Sequence, residues 1–180
     1  MAGRPIAALG EGASDLEGQL TDFFGAHYDR LVRLAALVCH GPASVEDAVQ
    51  AAMEQAWRRR HTLRDPNLLR PWLDQIVVRE AIRLNRLPWW GRFAGRPPNE
   101  AAHHAEPADP RGIANPAWVA LLIAFDRLPA EQRAAIALHL YEGYSVEETA
   151  DLMGTSIETT RSRLRLARAK LRRELDEDSR

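Results

Sequence analysis

The chain has 180 residues, of which 46% are hydrophobic and 27% are charged, a balance typical of a folded, water-soluble protein. Its 24 basic and 25 acidic residues give a net charge of -1, which argues against a protein that coats nucleic acid without sequence preference. The single cysteine, Cys39, excludes an internal disulfide framework and a multi-cysteine zinc site.

Three amphipathic helices are predicted in the first half of the chain. Apolar residues at helical spacing predict a helix over residues 20–38 and another over residues 71–86. Between them, Ser44 is expected to cap a second helix, whose apolar stripe reaches Trp57 and should lie in the core. A loop is expected around Pro66, because the residue before a proline is pushed out of the helical region. The three helices predict one small bundle.

Two segments lack helical periodicity. Residues 1–18 predict a disordered tail, and the proline-rich residues 88–115 predict a flexible linker between two domains. The linker contains the pair Trp89 and Trp90, for which two interpretations stay open. The pair either stacks on nucleic acid or docks on a partner, or it packs against the end of the third helix.

The last third of the chain has the pattern of a helix-turn-helix. Two predicted helices precede it. The first begins at Pro116 with Asn115 as its cap, and the second covers residues 129–141. Ser145 and Glu148 predict a capping box ahead of a short helix, and a glycine, Gly154, ends that helix. A long basic helix follows, and this order is typical of a DNA-binding unit.

The long basic helix carries residue types that bind DNA, and Ser156 is expected to cap it. Ile157, Thr160 and Leu164 are predicted to pack inward. The free face that remains would lie in the major groove, and it consists of Glu158, Thr159, Arg161, Ser162 and Arg165. The alternative is a solvated helix whose basic residues only suit its dipole and balance the acidic C-terminal tail.

Two motifs resemble a known family. The first runs over Leu128, Tyr144–Ala150, Gly154, Thr159–Leu164, Ala167-Arg168 and Leu171-Arg172, and it is similar to region 4 of extracytoplasmic-function sigma factors. The second comprises Val45–Gln50 with Trp72-Leu73, Ile76 and Arg86, and it is similar to region 2 of the same family. The two motifs stand in the expected order on either side of the linker.

The resemblance implies an all-α protein of two small helical domains joined by the flexible linker. The implied division is a tail at 1–18, region 2 at 19–87, the linker at 88–115, region 4 at 116–175 and an acidic tail at 176–180. Such a protein is an RNA polymerase sigma factor and not an enzyme. Its implied partners are core RNA polymerase, through the beta and beta-prime subunits, and promoter DNA, both single-stranded at the -10 element and duplex at the -35 element. An anti-sigma factor is a further partner of this family.

The resemblance also implies three groups of binding residues. Contacts to core polymerase fall on Asp47, Gln50 and Met53, although Asp47 and Gln50 equally fit an exposed helix flank. Contacts to the -10 strand fall on Arg60, His61, Arg64, Trp72, Arg79, Arg83 and Arg86. Contacts to the -35 duplex fall on Ser156, Glu158, Thr159, Arg161, Ser162, Arg163, Arg165 and Arg168.

The sequence departs from the family pattern at four positions. Arg79 stands where an Asn is usual and Arg83 where an Asp is common, while Glu158 replaces a frequent Gly and Leu166 a frequent Arg. The preferred bases are therefore not predicted from the resemblance.

Two other function classes stay open from the sequence alone. A stand-alone helix-turn-helix regulator would bind its operator without polymerase, and a helical adaptor protein would not bind DNA at all. Neither a catalytic motif nor a cofactor motif is present, and the pairs Cys39-His40 and His103-His104 lack metal-ligand spacing. With no apolar run of about 20 residues and no secretory layout, we expect a cytoplasmic protein that does not bind membranes.

Overall fold

The computed structural model describes residues 8–86 and 116–178, which form seven α-helices without a β-strand. The first unit consists of α1 (Ala8–Val38), α2 (Pro42–Arg59) and α3 (Leu69–Arg86). The second unit consists of α4 (Pro116–Asp126), α5 (Ala130–Ile136), α6 (Val146–Met153) and α7 (Ile157–Asp178). The all-α fold is confirmed. The predicted linker, Trp89, Trp90 and Asn115 lie outside the described residues.

The first unit is a three-helix bundle around an aliphatic core. Leu31 and Leu34 of α1, Val49 of α2 and Leu73 and Val77 of α3 are at most 1% exposed. Burial of each such side chain contributes about 1.5–3 kcal/mol, so this core holds the bundle together. Two short 3-10 turns, Arg60–Thr62 and Pro66–Leu68, connect α2 to α3.

The second unit contains the predicted helix-turn-helix in α6 and α7. The Ser145 hydroxyl accepts a hydrogen bond from the Glu148 amide at 3.0 Å, and the Glu148 carboxylate accepts one from the Ser145 amide at 2.8 Å. Gly154 ends α6 with φ of 64°, a left-handed conformation that favours glycine. Both capping predictions are confirmed, because short-range hydrogen bonding alone determines them.

Residues 137–141 continue α5 as a π-helical turn. Its end is held by two backbone hydrogen bonds, from the Glu142 amide to the Ala137 carbonyl and from the Tyr144 amide to the Leu138 carbonyl. The widened turn and Gly143, at φ of 82°, turn the chain toward the first unit. Glu142 and Tyr144 thereby reach the other half of the molecule.

Three local predictions are wrong. Helix α1 begins at Ala8 and not after residue 18, since alanine, leucine and glutamate in this stretch favour a helix despite its glycines. Ser44 does not cap α2, which already begins at Pro42 behind Gly41, because proline suits the first helical turn. Trp57 is 43% exposed and does not lie in the core, because it is near the end of α2.

The two units pack against each other. Helix α5 contacts α1 and α3, and α6 contacts α3. Buried Ala134, Ala137, Leu138 and Leu152 of the second unit belong to the same apolar cluster as the core of the first unit. We call this packing the closed arrangement. No helix in the described ranges is both long and apolar enough to cross a membrane.

Candidate nucleic-acid and polymerase interfaces

Helix α7 presents the predicted DNA-contact face to solvent. Thr160 is fully buried and Leu164 is 4% exposed, so these residues anchor α7 on the rest of the second unit. The Ser156 hydroxyl accepts a hydrogen bond from the Thr159 amide at 3.1 Å, which caps the helix as predicted. The exposed residues of the predicted -35 group are Ser156, Glu158, Thr159, Arg161, Arg165 and Arg168, while Ser162 and Arg163 are half-buried.

This face combines guanidinium groups with small hydroxyl side chains at the start of a helix. Arg161 is held by an ion pair with Glu147 of α6 at 3.2 Å, and Arg165 is exposed one turn later. Guanidinium groups donate paired hydrogen bonds to guanine and to phosphate. Hydroxyl groups form single hydrogen bonds with bases or with phosphate. The face is therefore chemically suited to duplex DNA.

Helix α3 carries three exposed arginines on one side. Arg79, Arg83 and Arg86 are spaced by about one turn, and all face away from the bundle core. Arg83 pairs with Glu80 at 2.7 Å, and Arg86 pairs with Glu131 of α5 at 2.7 Å.

Trp72, predicted for the same -10 group, is only half-exposed and packs against the core at the start of α3. Its ring therefore stabilises the bundle and offers only part of its surface to a base.

The end of α2 adds a second basic region, in which Arg60 is half-buried and His61 and Arg64 are exposed. Arg60 pairs with Glu17 at 2.7 Å, and its guanidinium lies 5.3 Å from the centre of the Trp57 ring. Trp57, which the sequence pattern placed in the core, is exposed and offers a surface on which a base can stack. Its position next to an arginine-rich turn is the signal that was missed.

The predicted polymerase contacts lie on α2. Asp47 and Gln50 are exposed on one side of the helix, and Met53 is half-buried beside them. Gln50 donates a long hydrogen bond of 3.5 Å to Glu54 on the same helix. Asp47 and Gln50 therefore form a polar, accessible flank.

An ion-pair network joins the two units beside the start of α3. Arg30 of α1 donates to both carboxylate oxygens of the fully buried Asp74, at 2.6 and 3.1 Å. The same guanidinium donates to Glu142 of the second unit at 2.8 Å, and Arg70 donates to the same Glu142 oxygen at 2.8 Å. Glu142 thus holds two arginines of the other unit at once.

Tyr144 completes this network from the second unit. Its hydroxyl donates to Asp74 at 2.8 Å, and the Arg70 guanidinium lies 5.9 Å from its ring centre. Burial, reinforced by the negative charge of Asp74, raises the pKa of the Tyr144 hydroxyl well above its ordinary value. The hydroxyl therefore remains a donor at all physiological pH values.

Arg133 of α5 makes a second polar connection to the first unit. Its side chain is 1% exposed, and one terminal nitrogen donates to the Val38 carbonyl at the C-terminal end of α1. The other donates to the Asp126 carbonyl at 3.0 Å. Burial lowers the pKa of the Arg133 guanidinium, and a hydrogen bond with His40 lowers the pKa of the Asp126 carboxyl.

These interdomain residues were missed by sequence reasoning. Asp74 and Arg133 interrupt apolar helix faces, which was a readable signal that each has a polar partner. The partners Glu142 and Val38 are distant in sequence, and no local pattern points to them.

A cleft of about 480 Å³ separates α3 from the start of α7. It brings Arg79, Arg83 and Arg86 of the predicted -10 group close to Arg163 of the predicted -35 group. Burial alone would raise the pKa of the Glu131 carboxyl in this cleft. The hydrogen bond from Arg86 and the charges of Arg86 and Arg163 outweigh burial and lower it.

Comparisons with known proteins agree on one family. Residues 23–90 match the model of Sigma-70 region 2, and residues 119–171 match that of Sigma-70, region 4. The ECF RNA polymerase sigma factor SigM of Mycobacterium tuberculosis is 35% identical over 150 residues, covering 83% of this chain and 74% of the relative. The RNA polymerase sigma-E factor of Streptomyces coelicolor is 28% identical over 158 residues, covering 87% and 86%.

Solved structures with the same fold include two complexes. The sigma factor RpoE of Bartonella quintana, in complex with the anti-sigma factor NepR, matches with a TM-score of 0.63 and 26% identity, covering 87% of this chain and 96% of that one. CnrH in complex with the cytosolic domain of CnrY matches with a TM-score of 0.61 and 23% identity, covering 88% of each chain. The family models, the relatives and the two-unit helical fold together show that this chain belongs to the extracytoplasmic-function family of RNA polymerase sigma factors.

Proposed function

We propose that this sigma factor binds core RNA polymerase through the flank of α2 and reads promoter DNA with α3 and α7. The observation that carries the proposal is the exposed basic face of α7, held outward by buried Thr160 and Leu164 within a helix-turn-helix. In this assignment Arg161 and Arg165 contact the -35 duplex. Asp47, Gln50 and Met53 contact the polymerase.

The -10 strand is proposed to bind along α3 and the end of α2. Unpaired bases stack on aromatic rings and guanidinium planes, which contributes about 1–3 kcal/mol per base. Trp57 with Arg60, and the arginine row of α3, supply such groups. Stacking of this size offsets the few kcal/mol needed to unstack a base from the duplex.

The closed arrangement must open before both promoter elements are bound. Positions named -10 and -35 lie about 25 base pairs apart, or about 85 Å along the duplex at 3.4 Å per base pair. In the closed arrangement, Arg83 and Arg163 line the same cleft. The two units therefore separate when they engage DNA on the polymerase, and we propose that the closed arrangement is the form without DNA.

Run-off transcription with purified core polymerase tests the assignment of α7. Arg161→Ala and Arg165→Ala are each expected to lower promoter-specific transcript by about tenfold or more, because one arginine–base contact contributes about 1–3 kcal/mol. Arg33→Ala, on an exposed position of α1, is the matched charge control and should leave transcription unchanged. Co-purification with core should be normal for all three variants. Wild-type transcript levels from the α7 variants would refute the assignment.

Asp47→Ala tests the polymerase contact separately. We expect weaker co-purification with core, whereas Asp22→Ala, which removes an exposed carboxylate of α1, should bind core normally. Equal retention of both variants on core would contradict the role of this flank.

One further partner follows from the family. The NepR complex is that of an anti-sigma factor with a protein of the same fold, and we propose that an anti-sigma factor also binds this chain.

The site of action is the cytoplasm, because core polymerase and the chromosome are there. A stand-alone regulator would instead shift promoter DNA in a gel without polymerase.

A further inference from the structure

We propose that the cleft between α3 and α7 binds a small phosphate-rich anion of the diphosphate class, and that the bound anion stabilises the closed arrangement. The proposal uses the arginines assigned above to DNA, so its regulatory part rests on the proposed function. Its binding part does not.

The charge of the cleft is the first argument. Among the described residues, Arg79, Arg83, Arg86 and Arg163 line the cleft, whereas Glu131 is its one carboxylate. Glu80 neutralises Arg83 from outside the cleft. Within the described ranges neither Arg79 nor Arg163 has an ion pair, although the charge of Arg163 acts on Glu131, so the cleft keeps an excess of positive charge.

The geometry of the cleft is the second argument. The Arg79 guanidinium lies against Gly154 in the turn before α7, where a Cβ would be only 3.0 Å from its terminal nitrogen. Thr155 of the same turn also lines the cleft, so guanidinium groups from α3 and α7 meet there beside the turn before α7. Guanidinium groups donate paired, charge-assisted hydrogen bonds to phosphate oxygens.

The size of the cleft selects the ligand. A volume of about 480 Å³ lies within the range of small-molecule pockets, roughly 300–1,000 Å³, and is too small to admit a DNA duplex. Two adjacent phosphate groups match the guanidiniums of Arg79 and Arg163, which have no ion pair within the described ranges.

Closure and anion binding are thermodynamically linked. The walls of the cleft come from both units, so a ligand held between them binds the closed arrangement more tightly than an open one. Mass action then shifts the population toward the closed form. Because the same arginines are withheld from DNA, the anion is expected to oppose promoter binding.

Calorimetric titration of the full chain with inorganic pyrophosphate, at constant ionic strength, tests the binding. We expect saturable binding at one site, with Arg79→Ala and Arg163→Ala each weakening it by about tenfold, because one charge-assisted pair contributes at least 1.4 kcal/mol. Arg33→Ala, which removes an equal charge from an exposed position of α1 that does not line the cleft, should change affinity by less than about twofold. Glu131→Gln should bind pyrophosphate more tightly, since it removes the opposing carboxylate.

Two further measurements separate the outcomes. If ATP binds more tightly than pyrophosphate, the site also recognises the nucleoside part of a nucleotide. If ATP and pyrophosphate bind equally, the site recognises only the diphosphate group. Both results support the proposal. Pyrophosphate should also reduce the radius of gyration of the Glu142→Ala variant, measured by small-angle X-ray scattering, because this variant lacks the carboxylate that pairs with Arg30 and Arg70 of the other unit and is expected to open. Non-saturable binding, an equal loss in Arg33→Ala, or an unchanged radius at saturation would overturn it. None of these measurements involves polymerase or promoter DNA, so failure here leaves the transcription result intact.

Discussion

Glu142→Ala is the substitution that most directly perturbs contact between the two units. The Glu142 side chain is 3% exposed and accepts hydrogen bonds of 2.8 Å from Arg30 and from Arg70, both of the other unit. Arg30 keeps its two bonds to Asp74 after the substitution, and the half-exposed Arg70 is hydrated again. The loss is therefore smaller than the roughly 3–5 kcal/mol found when a buried ion pair is broken outright. We expect about 2 kcal/mol.

This loss falls on the closed arrangement, because the Glu142 carboxylate bonds to Arg30 and Arg70 of the other unit. A change of about 2 kcal/mol shifts the closed-to-open equilibrium by about 30-fold. Small-angle X-ray scattering should therefore show a larger radius of gyration for Glu142→Ala, and urea unfolding should show lower stability. The helical circular dichroism signal should remain.

Glu54→Ala is the matched control for Glu142→Ala. Its carboxylate is 54% exposed and pairs with Arg58 on the same helix at 3.4 Å, a surface pair that contributes less than about 0.5 kcal/mol. If both variants have the same radius and stability as the wild type, the reasoning that Glu142 holds the two units together is refuted.

Other substitutions test the local structure of the same regions. Gly154→Ala should lower the free energy of unfolding by about 1–2 kcal/mol, because a side chain at φ of 64° is strained. Gly25→Ala, in open space on α1, should raise the free energy of unfolding by about 0.5–1 kcal/mol. If urea denaturation ranks the two variants in the opposite order, the turn geometry at Gly154 is contradicted. Leu164→Ala should cost about 2–5 kcal/mol and expose α7 to proteolysis, and a loss below 1 kcal/mol would show that α7 is not anchored there. The pKa of Glu131 lies below its ordinary 4.5, so its pair with Arg86 stabilises the fold above pH 4.5, and this stabilisation is lost as the pH falls below that value. Glu131→Gln should therefore reduce the dependence of the unfolding free energy on acidic pH, measured by urea unfolding. An unchanged pH dependence would refute this role of the pair.

Much of the fold was predictable where short-range chemistry decides it. The Ser145 and Glu148 capping box and the left-handed Gly154 depend on residues within a few positions, and both appear as predicted. The start of α1 was not predictable from periodicity, because glycines interrupt a stretch whose composition still favours a helix. Trp57 was misassigned because a stripe at helical spacing does not reveal where the neighbouring helix ends.

The packing of the two units was the least predictable feature. Arg30 and Glu142 are 112 residues apart, and their contact depends on how the whole chain closes. The sequence predicts each binding face from its own helix, but it contains no signal that Arg79 and Arg163 share a cleft. Long-range charge pairs of this kind are visible only in three dimensions.

Transcription from a randomised promoter library, with purified core polymerase alone and with core plus this chain, tests the central claim most directly. The account predicts that the chain makes transcripts start from a sequence-defined subset of the library, with enriched bases at both the -10 and the -35 positions. Start sites that are the same with and without the chain would contradict it.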